Sequence, residues 1–475
     1  MLPRRNDTSR LAALVAIGAV AGLGGAADPA GARTTAAKRA PTAATVKGVR
    51  SAHAHLHASP APRAAPRRAG LRAAARVAAG GPTLYVAPDG SDTGTGEQSR
   101  PFATLTKALA KAAGGETIVL APGDYPAAKD GRARSTWVSV VGPGSGRASV
   151  DGLAITGGRY LDISGVTFTA GVGLRSYWTP QTGTVAPGHV HLFGNEFTNP
   201  GGTCVGARDG ATDVVVSDNL IHDCQVGFGA GAGGAIVQSS GLEISDNTIS
   251  DLTGDGIQFG QWDDVSITGN VIDGIRDPAK TYHNDGIQLT GNSAGVTIAA
   301  NTITDSRTQL LLIQDAMGPI DDVAVENNVM AGAGAVAVQS LGATGVRFVH
   351  NTIWGGKDGG LWLAKGMSYT GHAASSATDG VVVNNVLSTF ARREGAATSV
   401  AAGNVVPCAA KTPPPTNDGA GTTCVTDPGF ANAAAGNYRL TSSAVGRGLG
   451  SSVFTLPTDR DGDARSGAPV PGAYR

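Results

Sequence analysis

The sequence contains few aromatic residues, few charged residues and few long apolar runs. Aromatic residues make up only 5% of the 475 residues and charged residues 16%, and the one long apolar run lies near the N-terminus. A spanning helix needs about 20 predominantly apolar residues in a row, so the rest of the chain offers no candidate. Glycine is abundant, with 70 residues, but it shows no three-residue period, which excludes a collagen-like triple helix.

The zero net charge of the chain hides an uneven distribution. Residues 1–82 contain 13 of the 37 basic residues but only two of the 37 acidic residues. Residues 83–475 therefore carry 24 basic and 35 acidic side chains, a formal charge of −11. A body of this charge repels an anionic polymer unless a cation or a basic side chain compensates.

The N-terminal region is predicted to be an export signal followed by a linker. The basic segment MLPRRNDTSR precedes the apolar stretch LAALVAIGAVAGLGGAA and small residues suited to signal cleavage. We assign 1–32 to a secretion signal, by the general or the twin-arginine route, and 33–82 to a disordered basic linker rich in Ala, Arg and Pro. The protein is therefore expected to be secreted or held at the cell surface, with no membrane span after signal removal.

Four cysteines are consistent with two disulfides in an exported protein. Cys204 and Cys224 are 20 residues apart, and Cys408 and Cys424 are 16 apart. We predict that nearest neighbours pair, although four cysteines allow three connectivities.

One sequence pattern recurs along the chain. Alternating β-branched residues are followed by Asn and then an aliphatic residue, as in DVVVSDNLI, VSITGNVID and VTIAANTIT, and the mean spacing from Asn195 to Asn351 is 26 residues. Such a period indicates a solenoid, and the two-residue alternation indicates strands. We interpret each Asn as a left-handed turn residue that bonds its neighbours in adjacent coils, with Gly165 in the same slot of an earlier coil.

The segment before the repeats predicts a cap. It contains a strand, a glycine-rich loop, a helix and a second strand, and Leu105, Ala108, Leu109 and Ala112 fall on one helical face. An amphipathic helix in this position would cover the open apolar end of a solenoid. We place the N-terminal cap at 83–130, the coils at 131–405 and a C-terminal coil and cap region at 406–475.

These motifs resemble secreted proteins of the pectin-lyase-like superfamily. The resemblance rests on YVAPDGSDTGTG, PFATLTKAL and ETIVLAPGDY followed by Asn-x-Ile coils, and it covers about 84–475. It implies an all-β fold, a right-handed parallel β-helix with an N-terminal amphipathic capping helix. The superfamily consists mainly of polysaccharide lyases, with glycoside hydrolases, C5-epimerases and non-catalytic surface proteins beside them. It implies an extracellular polysaccharide as partner, and we expect a monomer that binds no nucleic acid.

Polar residues concentrate in three consecutive coils. Aligning GDGIQFGQ, NDGIQLTG and QLLLIQDA places one inward slot at Ile257, Ile287, Leu311, Val336 and Leu361. The outward slot beside it then contains Gln258, Gln288, Leu312, Ala337 and Trp362. The coil that contains His283 has 31 residues, so a loop is inserted there, and inserted loops beside a solenoid groove commonly carry function.

Three chemistries fit this cluster. A uronate lyase needs a base, a neutralised sugar carboxylate and a proton donor; the candidates for catalysis are His283, Asp285, Arg307 and Tyr282, and Ca²⁺ on Asp255 and Asp285 could share the neutralisation. A glycoside hydrolase would use Asp255 and Asp285 as its carboxylate pair. A glycan-binding module would use the same surface without a reaction. Contacts with the sugar are predicted for Asp255, Gln258, Gln288, Gln314, Trp262 and Lys280.

The motifs of the best-known enzymes of the superfamily are incomplete in this chain. HNDGIQ (283–288) resembles the NTDGID stretch of polygalacturonases, but Gln288 replaces the last Asp and the double Asp, GHG and RIK motifs are missing. No lysine occupies the outward slots where pectate lyases would have their base, and only Lys280 and Arg307 stand in for the basic pair of alginate and chondroitin lyases. We predict a polysaccharide lyase that acts on a uronate-containing glycan by β-elimination; the alternative is a non-catalytic glycan-binding or cell-surface β-helix protein.

Overall fold

The computed structural model describes residues 81–179, 183–230, 237–366, 375–393, 396–408 and 421–475. The predicted secretion signal (1–32) and almost all of the predicted linker (33–82) lie outside these ranges. Among the helices of the described residues, none is long and apolar enough to cross a membrane.

The described chain is a right-handed parallel β-helix, as predicted, and its first face is a sheet of 13 parallel strands (sheet 1). Each strand pairs with its counterpart in the next coil, for example Val265 with Val296 and Ile267 with Ile298. The strands of sheet 1 are Thr83–Val86, Thr117–Leu120, Val138–Val141, Arg159–Ser164, Gly188–Phe193, Thr212–Ser217, Ser239–Ser245, Trp262–Thr268, Ser293–Ala299, Ile320–Glu326, Arg347–Val349, Ala377–Val383 and Ala396–Ala402.

The second face follows the asparagine turns. Its parallel strands (sheet 2) are Gly123–Tyr125, Ala148–Val150, Thr167–Phe168, Glu196–Ala207, Leu220–Ala230, Thr248–Leu252, Val271–Ile275, Thr302–Ser306, Val329–Ala333, Thr352–Trp354, Val386–Leu387, Asn404–Pro407 and Thr422–Val425.

The third face (sheet 3) completes each coil. It consists of the ends of the long strands Glu196–Ala207 and Leu220–Ala230 together with Ala128–Asp130, Leu153–Thr156, Val172–Arg175, Ile257–Phe259, Ile287–Leu289, Leu311–Gln314, Val336–Leu341, Gly359–Ala364 and Phe390–Arg392. The remaining elements are two hairpins, Tyr177–Thr179 with Gly183–Val185 and Phe430–Asn432 with Asn437–Leu440, the helix Leu105–Lys111, and the 3₁₀ turns Ala433–Ala435 and Val445–Gly448.

The core lies inside the coils because alternate residues of a strand point to opposite faces. In sheet 1, Val265 and Ile267 are buried, whereas Ser266 between them is partly exposed. The same alternation recurs in the next coil at Val296, Thr297 and Ile298. The two-residue period of the sequence therefore corresponds to an aliphatic interior and a polar exterior.

The asparagine ladder that the repeats predict is present. Asn270 donates from Nδ2 to Asn301 Oδ1 (3.0 Å) and to Ile244 O (2.8 Å), and its backbone N–H donates to the same Asn301 oxygen (2.9 Å). The members of the ladder are Asn195, Asn219, Asn247, Asn270, Asn301, Asn328, Asn351, Asn385 and Asn404. Every member is almost fully buried, so the ladder satisfies backbone groups that water does not reach.

The prediction that the ladder asparagines adopt the left-handed conformation is wrong. The left-handed residue is the one before each asparagine, such as Asp218 (φ 54°), Gly269 (φ 71°) and Ala300 (φ 55°). Gly165 (φ 68°) is also such a residue, and Val166, whose N–H donates to Asn195 Oδ1, takes the asparagine slot of that coil. The preceding residue makes the bend, which leaves the asparagine amide free to bond along the stack.

The capping helix forms where it is predicted, at Leu105–Lys111. The Thr104 side chain accepts the N–H of Lys107 at its start, and Leu105, Ala108 and Leu109 are buried. The buried Arg134 donates to the carbonyls of Leu109 (2.8 Å) and Ala112 (3.1 Å) at the other end. The Arg134 side chain therefore bonds the carbonyls at the C-terminal end of the helix, which stops before the glycine pair at 114–115.

Both disulfides join nearest neighbours, as predicted. Cys204 bonds Cys224, and Cys408 bonds Cys424. The second bond joins Cys408, directly after the strand Asn404–Pro407, to Cys424 in the neighbouring strand of sheet 2, with which that strand pairs.

The C-terminal region returns along the asparagine turns. Asn384 donates to Ser451 O (2.9 Å), His350 Nδ1 contacts Val470 O (3.1 Å), and Asn327 donates to Thr458 O (3.0 Å). Arg460 reaches the carbonyls of Ala300 and Asn301 in the coil before these (both 3.3 Å). The tail thus fastens four consecutive coils together.

Candidate active site

The polar cluster predicted from the sequence lies on the outer side of sheet 3. Ile257, Ile287 and Leu311 pair in register and point inward, which places Gln258, Gln288 and Leu312 in the adjacent outward column. The alignment of the following coil was wrong by two residues, because Leu311 pairs with Val338 and not with Val336. Gln339 therefore continues the outward column, followed by Trp362, and Ala337 is buried.

The two Asp-Gly-Ile-Gln motifs join each coil to the next. Asp255 Oδ1 accepts the N–H of Asp285 (2.8 Å), and Asp285 Oδ1 accepts the N–H of Gln309 (3.0 Å). Glycine follows each aspartate because the next coil lies very close: a Cβ on Gly286 would lie 2.6 Å from Leu310 O. One oxygen of each aspartate is thereby used for coil stacking.

The second oxygen of Asp285 distinguishes this residue from Asp255. Asp285 Oδ2 lies 2.9 Å from Nδ1 of His283, and the Asp285 side chain is fully buried while that of His283 is 48% exposed. A carboxylate on Nδ1 holds the imidazole in the tautomer that leaves Nε2 unprotonated. In Asp255 the corresponding oxygen accepts instead from the side-chain amide of Gln258 (2.9 Å).

The inserted loop is held by one carboxylate, that of Asp277. It accepts the backbone N–H groups of Ala279 (2.9 Å), Thr281 and Tyr282 (2.9 Å). These hydrogen bonds lower the pKa of Asp277, the bond from Tyr282 having the largest effect. The Asp-Pro sequence at its start favours a turn, and the turn fixes the chain immediately before His283.

Arg307 supports the same segment from the next coil. Its guanidinium donates to Asn284 Oδ1 (2.5 Å) and to the backbone carbonyl of Tyr282. Arg307 makes no ion pair with the nearby acids Asp285 and Asp305; Asp305 pairs with Arg276. Two of the five guanidinium N–H groups are thus used within the protein.

The acids shift the protonation of the site. Burial, and next the charge of Asp285, raise the pKa of Asp255 well above the ordinary range of a carboxyl. Burial would lower the pKa of His283, but the hydrogen bond and the charge of Asp285 outweigh it and raise that pKa above 6.5. The contact with Asp285 therefore favours the protonated form of His283, whose imidazole is partly exposed.

Calcium fits this site poorly. One ligand atom from each of Asp255, His283 and Asp285 lies within 4.8 Å of the others, so the three could approach a common ion. However, all four carboxylate oxygens already contact groups of the protein, and the third donor is an imidazole nitrogen. Calcium takes six to eight oxygen ligands. An imidazole bonded to a carboxylate is better suited to proton transfer than to binding Ca²⁺.

One predicted sugar contact is wrong. Trp262 is fully buried inside the coils at the start of a sheet 1 strand, so its ring is closed to a sugar. Gln314 ends the strand Leu311–Gln314, two residues beyond Leu312 of the outward column, and is partly exposed. Tyr282, by contrast, is 39% exposed beside His283.

Gln258 and Gln288 lie in the outward column as predicted. Gln258 donates to Gln288 Oε1 (2.5 Å), and Gln288 is 7% exposed. Lys280 is exposed at the tip of the inserted loop.

The sequence analysis missed four residues of the site: Asn284, Thr308, Gln309 as a partner of Asp285, and Asp277. Thr308 donates to Asp285 Oδ1 (2.8 Å) and so helps to fix that carboxylate. The turn signal at Asp277-Pro278 could have identified Asp277; the role of Thr308 depends on strand register, which no local motif reveals.

Comparison with known proteins supports the fold. Residues 151–318 and 279–373 match the family model described as "Right handed beta helix region". A curated relative, "Uncharacterized protein YwoF" of Bacillus subtilis (strain 168), is 25% identical over 221 residues, which is 44% of this chain and 44% of that protein. The match thus spans less than half the length of the relative.

Among solved structures, XylC in its complex with xylose has a TM-score of 0.50 at 11% identity, over 82% of this chain and 98% of XylC. The A-module of the mannuronan C-5 epimerase AlgE6 of Azotobacter vinelandii has a TM-score of 0.45 at 17% identity, over 68% of this chain and 92% of the module. The family model and the XylC match agree with the β-helix, and the chemistry has to be argued from the site.

Proposed function

We propose that this protein is an exported polysaccharide lyase that cleaves a uronate-containing glycan by β-elimination at His283. The observation that carries the proposal is the hydrogen bond between His283 Nδ1 and the fully buried Asp285 carboxylate, which leaves the other imidazole nitrogen on the exposed side. The class of substrate rests on the resemblance of the sequence to the pectin-lyase-like superfamily.

Each step of the elimination has a residue within the site. His283 Nε2 removes the proton on C5, which is acidic because it is adjacent to the sugar carboxylate. The electron pair forms the C4–C5 double bond as the C4–O bond breaks, and the Tyr282 hydroxyl donates a proton to the leaving oxygen. Arg307 pairs with the sugar carboxylate and stabilises the charge that develops there. No metal takes part in these steps.

The negative charge of residues 83–475 makes Arg307 necessary. An acidic polymer approaching a body of formal charge −11 is repelled over most of its surface. At the site the charge is less negative than two aspartates would give, because the raised pKa of Asp255 favours its neutral form. The guanidinium of Arg307 then supplies the positive charge that a uronate carboxylate requires.

The alternative is a glycan-binding protein without turnover. It is favoured by the outward column itself, in which Gln258 and Gln288 are hydrogen-bonded to each other and Trp362 continues the same column two coils beyond Leu312. Amide ladders and an indole ring bind sugars without any base.

Export agrees with the two disulfides, because such bonds persist in oxidising compartments. The secretion signal at 1–32 and the basic linker at 33–82 remain part of the proposal. A basic segment of this kind would tether the β-helix to an anionic cell surface.

A substrate panel tests the proposal. The protein is incubated with polygalacturonate, alginate and other polyuronates, with and without EDTA, and the ultraviolet absorbance of the unsaturated product is followed. We expect one polyuronate to give product at a rate that EDTA does not change. Binding on a glycan array without any product would favour the alternative.

A further inference from the structure

A cluster of four rings lies on the outer side of sheet 1, on a different face from the candidate active site on sheet 3. Its members, called the ring cluster below, are Trp137, Tyr160, His189 and His191. Trp137, Tyr160 and His189 lie opposite one another in three consecutive coils, and all four rings are partly exposed. Tyr160 stacks on His189 with 4.3 Å between the ring centroids. Trp137 contacts Tyr160 edge to face at 5.6 Å and reaches His191 at 4.3 Å.

The backbone at Tyr160 is unfavourable for a bulky side chain. Tyr160 and His189 are left-handed, with φ of 58° and 53°, and they begin a column that keeps this conformation in the later coils of sheet 1. The other members of the column are Asp213, Gly241, Asp264, Gly295, Asp322, Gly345 and Asp379. Aspartate and glycine suit the left-handed conformation, histidine tolerates it, and tyrosine is strained in it. Strain of this kind concentrates at binding sites, so the two rings require a reason other than the turn itself.

The rings are fixed by contacts within the protein. His189 Nδ1 lies 2.5 Å from Oδ2 of Asp213, the next residue of the column, whose side chain is 52% exposed. The Trp137 ring lies 6.4 Å from that of His189, so it contacts both neighbours of the stacked pair. A ring surface that is ordered in advance loses little conformational entropy when a ligand binds to it.

The charge around the ring cluster limits the kind of ligand. Residues 188–275 contain twelve acidic residues and one basic residue, Arg208, a formal charge of −11 that equals the charge of 83–475. The acidic excess of the β-helix therefore lies entirely in the coils that contain His189 and follow it. An acidic polymer is disfavoured there. Carboxylates accept hydrogen bonds from hydroxyl groups, so an uncharged polyol is compatible with the same surface.

We propose that the ring cluster is a binding surface for a neutral polysaccharide. Sugar C–H groups pack on Trp137 and Tyr160, and sugar hydroxyls donate to the exposed carboxylate of Asp213. The inference goes beyond the proposed function, because it concerns another face of the β-helix and involves neither a uronate nor a reaction. The protein then binds an acidic glycan on sheet 3 and a neutral glycan on sheet 1.

The test removes the rings with a residue that suits the backbone. Tyr160→Asn/His189→Asn places asparagine at left-handed positions, a conformation that Asn292 and Asn327 already adopt in this chain. Phe454→Asn is the matched control, because Phe454 is an exposed ring at a left-handed position (φ 51°) in the C-terminal tail. Binding of cellohexaose, laminarihexaose, xylohexaose and mannohexaose to the full chain is measured by titration calorimetry beside hexagalacturonate, and melting temperatures are recorded for every variant.

We expect one neutral hexaose to bind, the double variant to weaken that binding at least about tenfold, and the control variant to leave it unchanged. The double variant should keep its melting temperature, because asparagine relieves the strain at Tyr160. A lower melting temperature with undiminished hexaose binding would show that the rings serve packing alone and would overturn the inference. No binding of any neutral hexaose, an equal loss in the control variant, or loss of hexagalacturonate binding in the double variant would also overturn it. None of these outcomes depends on cleavage of a polyuronate, so the proposed reaction can fail while this surface stands.

Discussion

At the scale of single residues, the central feature is that the two carboxylate oxygens of Asp285 bond different partners. Its Oδ1 accepts from Gln309 N and Thr308 Oγ1, which stacks two coils, and its Oδ2 binds His283. Asp255 performs the same stacking but has no histidine. The same structural motif thus recurs in two coils, and in one of them its aspartate also bonds a histidine.

The pH dependence of turnover should report this pair. Asp285 raises the pKa of His283 above 6.5, and a base acts in its neutral form, so kcat/KM should rise with pH to a midpoint above 6.5. Asp285→Asn keeps an acceptor for Gln309 but removes the charge, so the midpoint should fall and the maximal rate should drop by about 10²–10⁴-fold.

The matched control is Asp223→Asn, which removes a carboxylate 2.7 Å from His222, outside the site. The control variant should keep the profile of the unmodified protein. A profile that falls with rising pH, or a midpoint that Asp285→Asn leaves in place, would contradict the role of the pair.

How far the sequence predicts the site depends on whether contacts are local. His283 and Asp285 are two residues apart, and their convergence was predictable from HNDGIQ and the inserted loop. The position of Trp262 is not predictable from its neighbours, because the residue directly after Gly260 and Gln261 begins the next sheet 1 strand and points inward.

At the scale of elements, the turns determine the stacking. The spacing of the asparagines predicts the ladder. It does not predict which residue makes the bend, because Asp, Gly, Ala and Asn all occur in the left-handed position before the asparagine. Likewise, the register of Leu311 with Val338 depends on backbone bonds such as Leu310 N to Ala337 O (2.8 Å), which the pattern of side chains does not specify.

Removal of one ladder member should destabilise the solenoid. Asn301→Ala loses the bonds to Ile267 O and Asn328 Oδ1 and leaves Asn270 N without its acceptor, in a place that water does not reach. Each unpaired buried group costs about 1–3 kcal/mol, so the free energy of unfolding in urea should fall by roughly 3 kcal/mol or more.

The exposed Asn437 provides the comparison. Asn437→Ala should change the free energy of unfolding by no more than about 0.5 kcal/mol. Equal effects at the two positions would mean that the ladder contributes no more than an exposed side chain does.

At the scale of the whole molecule, the C-terminal tail binds consecutive coils, and one of its contacts is with a buried histidine. His350 is fully buried between Val470 O and the side-chain amide of Asn384. Burial, and next the charge of Arg465, lower the pKa of His350 to about 3. The folded protein therefore keeps this imidazole neutral at pH values where the unfolded chain protonates it.

This coupling predicts an acid-sensitive fold. Because the folded pKa is lower than the unfolded value of 6.5, the contribution of His350 is complete above pH 6.5 and is lost as pH falls toward 3, by about 1.4 kcal/mol per pH unit. His350→Asn suits the left-handed conformation of this position (φ 55°) and should make urea unfolding less sensitive to pH between 7 and 5. An unchanged pH dependence would show that another group dominates it.

The distribution of charge also acts on the whole molecule. The formal charge of −11 on residues 83–475 disfavours the approach of an acidic polymer, and Arg307 is the cation closest in the fold to the segment that contains His283. The zero net charge of the whole chain is therefore a poor guide to its ligands, because the charge of residues 83–475 differs from it.

The most direct test of the account is the rate at which the unsaturated product forms from the best polyuronate with His283→Ala and with His222→Ala. Both histidines are half-buried or exposed and bonded to carboxylates, but His222 lies in another coil, against Asp223 and Glu196. We predict that His283→Ala reduces the rate by about 10²–10⁴-fold while His222→Ala leaves it nearly unchanged. Equal rates in the two variants, or no product from any polyuronate with the unmodified protein, would contradict the account.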